Sequence, residues 1–173
     1  MSHSTKVREK RSDLEILYDK IKAIRLAMMT TADADGVLHS RPMVTQDPKD
    51  MKSDGYLWFL TYASASKVGE VEKNHHVNLA YAKSDDNLFV SVSGTAECVH
   101  DKARVKALWS PLYKTWFPNG PDDPAIALLR VHVEHAEYWN APAGKMGLLY
   151  TITKGLTSGG KETPPGEDVK LDV

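Results

Sequence analysis

Arg41-Pro42-Met43-Val44, a polar turn, Trp58-Phe59-Leu60-Thr61 and then Ser64-Ala65-Ser66-Lys67 read as two strands followed by the start of a helix. Pro42 has no N–H to give to a ladder, so its strand belongs at an edge or a bulge, where a ligand has room. The second strand is aromatic and compact, as a core strand should be. Beyond it, Val68 and Val71 alternate with Glu70, Glu72 and Lys73, the pattern of a short amphipathic helix over 66–73 that ends near Asn74. Lys67 then falls in the first turn, where the helix dipole disfavours a cation by roughly 0.3–1 kcal/mol. An anion reverses that sign. Free backbone N–H groups, the hydroxyls of Ser64 and Ser66 and the Lys67 ammonium together make a receptor for phosphate, and Arg41 on the neighbouring strand offers a bidentate partner. The stretch points to a phosphorylated cofactor lying across two strands.

Working outward, Leu14, Leu17, Ile21 and Ile24 recur three or four apart and predict an amphipathic helix within residues 5–24. Its basic start, Lys6 to Arg11, is interrupted by Glu9 and followed by Asp13, so it reads as a solvated face and not as a nucleic-acid patch. Leu26 to Thr31 is a strand, Asp33-Ala34-Asp35-Gly36 a turn, and Val37 to Thr45 the hairpin partner. A third strand covers Tyr56 to Tyr62; Val77 to Ala82 and Leu88 to Val99 form a further hairpin across Lys83 to Asn87. Asp101 caps a helix reaching about Ser110, Pro111 ends or restarts it, and Ile126 to Trp139 alternates as a long last strand. Five or six antiparallel strands with short helices between them imply a mainly β fold with α elements, a barrel or strongly curved sheet whose closure removes exposed edges.

The 173 residues are expected to form one domain: an N-terminal helical segment (1–25), a barrel core (26–140) and a C-terminal extension (141–173). Gly155 to Gly166 is rich in Gly, Pro, Ser and Thr and reads as a loose, partly mobile connection, whereas Val169-Lys170-Leu171 has the alternation of a strand able to pair with an open edge. Leu148 to Ile152 fits one more short helix or strand. With 22 basic and 23 acidic side chains, no bulk field favours nucleic acid or an anionic membrane. A single cysteine, Cys98, rules out an internal disulfide framework and favours a reducing compartment. No apolar run approaches the roughly 20 residues of a membrane span, and the basic N-terminus is unlike a signal peptide. A soluble, cytoplasmic protein is expected.

Several ordered segments together resemble a known family: Arg41-Pro42-Met43, Trp58-Phe59-Leu60-Thr61, Ser66-Lys67, Val90 to Ala96, Trp116-Phe117-Pro118 leading to Asp123-Pro124, and Ala136-Glu137-Tyr138-Trp139. Over roughly residues 10–140 the chain is similar to the flavin-binding split barrels of the pyridoxamine 5′-phosphate oxidase-like superfamily, and within it to the general stress protein 26 group. The resemblance implies a split β-barrel of antiparallel Greek-key type with FMN, or FAD, bound at the interface of a homodimer. It implies that Arg41, Lys67, Ser66 and Thr61 hold the ribityl phosphate, and that Pro42, Met43, Val44 and Leu60 line the isoalloxazine ring. Phe89 and Trp139 fall where the opposite subunit of the family closes the site. The chain departs from the pattern twice. His75 stands where relatives often have proline after asparagine, and Asn140-Ala141-Pro142-Ala143-Gly144 follows Trp139 in place of the arginine- and histidine-containing segment of the true oxidases. Pyridoxamine phosphate oxidation is therefore not expected.

Other residues have simpler readings beside the functional one. Arg41 could pair with a carboxylate, Lys67 could be solvated, Trp139 could be a core aromatic, and Trp109 and Trp116 could be lid or dimer packing. In His132-Val133-Glu134-His135, regular alternation points His132 and Glu134 one way and His135 the other, so no metal site converges there. Cys98 lacks a basic neighbour to activate it, and neither a Ser-His-Asp arrangement nor a G-x-G-x-x-G fingerprint occurs. The functions left open are a flavin-dependent oxidoreductase of unknown substrate, a non-catalytic flavin-binding or sensing stress protein, a ligand-free dimeric module, and a haem-degrading relative without an assignable axial ligand.

Overall fold

The strand Tyr56–Tyr62 is buried along nearly its whole length, because it is covered on both faces. Leu57 and Phe59 enter one apolar cluster, and Trp58 and Leu60 enter another. This accounts for its unbroken apolar run, where a strand with one wet face would alternate. The computed structural model describes residues 12–47, 51–140 and 167–172. In chain order these form α1 (Asp13–Ile21), β1 (Leu26–Ala32), β2 (Leu38–Val44), α2 (Met51–Asp54), β3 (Tyr56–Tyr62), α3 (Ser66–Lys73), β4 (His76–Lys83), β5 (Leu88–Val99), α4 (Lys102–Leu108), β6 (Ile126–Asn140) and β7 (Glu167–Asp172). A 3-10 turn over Pro111–Thr115 follows α4. None of the helices described is long and apolar enough to cross a membrane.

The strands run antiparallel in the order β2-β1-β4-β5-β6-β3. The two ends of that order meet: Thr45, just past β2, bridges Phe59, and the Gln46 N–H donates to the Trp58 carbonyl at 2.8 Å. The sheet is thus a barrel with a narrow seam, as the expectation of closure requires. Pro42 lies on β2, beside that seam, opposite Met28 of β1. Strand β7 pairs with residues 135–140 at the end of β6, beyond those that β3 uses, so the alternation of Val169 to Leu171 does find an edge. The expected element around Leu148 to Ile152 and the basic residues before Ser12 lie outside the described residues.

Inside the barrel Met29, Phe59, Leu79, Tyr81, Val92 and Leu129 are fully or almost fully buried, and α1 and α3 plug it with Leu17, Ile21, Val68 and Val71. Helix α1 begins at Ser12 with a reciprocal box: the Glu15 N–H donates to the Ser12 hydroxyl and the Ser12 N–H to the Glu15 carboxylate. Such a cap satisfies two of the donors that every helix start leaves free. The second cluster covers the outer face of β3 and the start of β6, where α4 and the 3-10 turn bring Val105, Tyr113 and Phe117 against Trp58, Leu60 and Leu128.

One expectation needs correction. A bulge between Ser93 and Gly94 leaves Glu134 out of the β5–β6 register, and the extra residue shifts the alternation. His132 and His135 are consequently both exposed, not on opposite faces. They line separate depressions, with Tyr56 and His75 around the first and Ser91 and Lys170 around the second, and Glu134 accepts a hydrogen bond from Thr95.

Candidate functional site

A cavity of about 280 Å3 opens where β2, the end of β3 and the start of α3 meet the residues around the 3-10 turn. Pro42, Met43 and Val44 of β2 form one wall. Leu60, Thr61 and Tyr62 of β3 form a second, Tyr113, Trp116 and Phe117 a third, and Ala65, Lys67 and Gln46 complete it. The aromatic wall is pinned to the barrel, since the Tyr62 hydroxyl donates to the Trp116 carbonyl at 3.1 Å and the Tyr62 and Phe117 rings lie 4.9 Å apart. Trp116 itself remains 58% exposed, a large apolar side chain at the mouth.

The polar corner lies at α3. Its N-cap, Ala65, has no side chain able to accept from the first turn; the Val68 N–H donates to the Ala65 carbonyl at 2.9 Å, and the N–H groups of Ser66 and Lys67 receive no side-chain cap. Lys67 donates from Nζ to the Thr61 hydroxyl at 3.2 Å. Burial first, and then the neighbouring Arg41 charge, hold its pKa below the usual 10.5, with Glu70 acting in the opposite direction. Arg41 is drawn inward: Nη2 donates to Glu70 Oε2 at 2.9 Å, and Nη1 donates to the Thr31 hydroxyl and the Met29 carbonyl. Thr31 in turn donates to Glu70, and this bond, followed by desolvation acting against it and the Arg41 charge, leaves the Glu70 carboxyl below the usual carboxylate range.

Of the residues singled out from the sequence, Pro42, Met43, Val44, Leu60, Thr61 and Lys67 share the wall of this one cavity. Arg41 stands behind it in the Thr31–Glu70 network, and Ser66 is exposed at the helix start. Phe89 and Trp139 lie elsewhere: they are register partners on β5 and β6, facing outward at 43% and 38% exposure. Gln46 and Tyr113 are lining residues that the sequence reading did not reach, and Phe117 entered it only as part of the Trp116-Phe117-Pro118 segment, with no role at the site. Gln46 follows the Arg41-Pro42-Met43-Val44 strand by two residues, the only signal that could have flagged it. Burial, and then the Glu72 charge, push the Cys98 thiol pKa above its usual value, which disfavours the thiolate form.

The chemistry of the wall suits a planar, anionic ligand. The Lys67 ammonium and a helix start without a side-chain cap stand at one end, apolar and aromatic side chains along the middle, and Gln46, whose buried acceptor oxygen has no partner among the described residues, in the remaining wall.

Comparison with known proteins agrees on the scaffold. A general stress protein 26 from Jannaschia sp. CCS1, 24% identical, superposes over 93% of this chain and 98% of its own with a TM-score of 0.68, a likeness of fold. A general stress FMN/FAD binding protein from Xanthomonas citri is 32% identical, with 73% of this chain and 87% of that one covered and a TM-score of 0.61. The protein bli-3 of Neurospora crassa is 29% identical over 144 residues, 78% of this chain and 68% of its own. Residues 12–163 match the family described as pyridoxamine 5′-phosphate oxidase like. With that span covering most of the chain, and with the split barrel and its cavity in place, this protein belongs to the pyridoxamine 5′-phosphate oxidase-like family.

Proposed function

We propose that this protein binds FMN in the cavity between β2, β3 and the 3-10 turn, and that it works as a flavin-dependent oxidoreductase on a substrate still to be identified. The observation that carries the reading is the pairing of an anion-seeking corner with an apolar wall of ring size in one cavity. Lys67, the first N–H groups of α3 and the Thr61 hydroxyl would hold the phosphate, with Arg41 adding positive potential from behind. Pro42, Met43, Val44 and Leu60 would lie along the ring. When bound, FMN supplies reversible hydride or single-electron transfer, and the protein contributes position and electrostatics. The naming of the Xanthomonas citri relative as an FMN/FAD binding protein supports the same ligand class.

A homodimer belongs to this reading. At about 280 Å3 the cavity of one chain falls just short of the range for small-molecule sites, about 300–1,000 Å3. Meanwhile the outer face of the sheet carries Met28, Ala80, Ala82, Phe89 and Trp139, all exposed and contiguous by register across β1, β4, β5 and β6. An apolar patch of this kind is what two copies would bury against each other. Phe89 and Trp139 would then reach the partner's cavity. The cytoplasm is the compartment this reading assumes.

A second reading has one specific observation behind it: among the described residues that line the cavity there is no Asp, Glu, His or Cys. Without an acid or base that works near neutrality, the chain could hold or sense flavin without turnover. One experiment separates the cases. The purified protein is expected to show a flavin absorption spectrum, to release FMN on denaturation as identified by chromatography, and to be reduced by a nicotinamide donor and reoxidised by an added acceptor. Colourless protein that takes up no added FMN would overturn the flavin reading, and bound FMN without turnover for any donor or acceptor would favour the second.

A further inference from the structure

Gln46 is 2% exposed, it lines the cavity, and its side-chain oxygen has no hydrogen-bond partner among the described residues. The orientation of its amide is determined by its other end: Nε2 donates to the Val44 carbonyl at 3.1 Å. Turning the amide over would set oxygen against oxygen there, so the bare acceptor is a property of the site and not of an arbitrary choice between O and N. The backbone is equally constrained, because the Gln46 N–H is bonded to the Trp58 carbonyl across the barrel seam. A buried acceptor left unmet loses its water without gaining a partner, which destabilises the empty site. A water there would need further polar partners, which the lining side chains offer only in Thr61, Tyr62, Lys67, Tyr113 and Trp116; a donor on a ligand meets the oxygen without them. The group missing from this wall is a hydrogen-bond donor on the ligand.

We infer that Gln46 accepts a hydrogen bond from the imide N–H of the bound flavin ring, and so selects ring systems that carry a donor at that edge. This rests on the FMN reading and deepens it. Of the heteroatoms on the pyrimidine edge of an oxidised flavin, the imide nitrogen alone bears a hydrogen; the others accept. The spacing also fits: Gln46 is anchored on β3 at Trp58 and Lys67 at Thr61, three residues farther along, about 10 Å at the rise of a strand. That is the scale of a ring joined to its phosphate through a ribityl chain, and too long for one small anion to span. The acceptor at one end and the ammonium at the other therefore orient the same molecule.

The test is a fluorescence titration of the flavin-free protein with FMN and with FMN methylated at the imide nitrogen, which keeps the phosphate and the ring but loses the donor. The wild type is expected to bind FMN at least about tenfold more tightly than the methylated form. Gln46→Leu should bind both forms with the same reduced affinity, and Gln46→Glu, which still presents an acceptor, should keep the preference. Equal affinity of the wild type for the two ligands would overturn the inference while leaving the FMN reading intact. So would a preference that survives in Gln46→Leu, since the methyl group would then be rejected by shape alone. The wild-type comparison needs no variant and decides the matter even if Gln46→Leu fails to fold. Failure to bind either ligand would instead overturn the FMN reading itself.

Discussion

Glu70 holds Arg41 in a 2.9 Å ion pair, whereas Lys67, three residues earlier on the same helix, donates to a neutral hydroxyl, that of Thr61. Two cations thus share one corner with one carboxylate, and the Lys67 ammonium bears the imbalance. Replacing it should separate ligand binding from folding. Lys67→Met is expected to weaken FMN binding by about 10- to 100-fold, the worth of one charge-assisted hydrogen bond of about 1.5–3 kcal/mol, without lowering the melting temperature of the flavin-free protein. Titration of the variant by flavin fluorescence, beside a thermal melt without flavin, checks both halves.

The same residue should leave a mark on the pH dependence of stability. Its pKa is lowered in the folded state, so between that value and the ordinary 10.5 the unfolded chain binds more protons. Stability of the flavin-free protein should therefore rise with pH through that window, and the rise should be missing in Lys67→Met. Saturating FMN, by placing an anion beside the ammonium, should flatten the rise in the wild type. Urea midpoints measured from pH 8 to 11 would show it; a wild type and variant with parallel profiles would contradict it.

Arg41 and Glu70 are only 20% and 14% exposed, so breaking their pair leaves a charge in a poorly solvated place. Arg41→Ala and Glu70→Gln are each expected to cost about 1–2 kcal/mol, more than a surface pair and less than a deeply buried one. The sign of the pH effect is opposite to that at Lys67. The Glu70 carboxyl lies below its ordinary 4.5, chiefly through the Thr31 hydroxyl, so its contribution is complete above about 4.5 and is lost as pH falls through the lower folded value. The gap in stability between wild type and Glu70→Gln should be constant near neutrality and close in acid.

What could be read from the sequence divides by the range of the interaction. The α3 start, the Asp101 cap, the 76–99 hairpin and the long β6 depend on local pattern, and they stand where expected. The Ser12-x-x-Glu15 box was equally local and would have placed the start of α1 at Asp13 instead of near residue 5. For Arg41 the residues alone allow phosphate or carboxylate and the resemblance implies phosphate; its carboxylate partner, Glu70, is 29 residues away and meets it only after β1, β2 and α3 assemble. Gln46 was invisible for a similar reason: its burial follows from the Thr45–Phe59 bridge that closes the barrel. The bulge at Gly94 had a faint signal, an isolated glycine inside a strand, but the parity change it imposes on His132 and His135 depends on β6.

Gly94 offers a test of that bulge. A Cβ there would lie 1.9 Å from the His132 carbonyl oxygen, an approach that only backbone movement relieves. Gly94→Ala should cost at least about 3 kcal/mol, at the severe end for a single methyl group. Gly69, at which a Cβ meets nothing within 4 Å, is the control: in mid-helix, Gly69→Ala should stabilise by about 0.5–1 kcal/mol. Chemical denaturation of the two variants gives the comparison directly.

Trp139 and Phe89 join the question of assembly to the question of the site. They are paired across β5 and β6, point away from the chain's own cavity, and leave a large apolar area in water. Both stand among the exposed large apolar side chains and not in the buried core, so replacing Trp139 with aspartate should leave the melting temperature of an isolated chain little changed. In a dimer buried through this face, the same substitution places a charge in an apolar contact and should shift the protein to monomer, seen by light scattering. If the partner's aromatics also close the FMN cavity, flavin affinity should fall in the same step and recover for neither subunit on concentration. A Trp139→Asp protein that becomes monomeric yet binds FMN as the wild type does would show that each cavity is complete within its own chain, and Phe89 and Trp139 would then serve assembly alone.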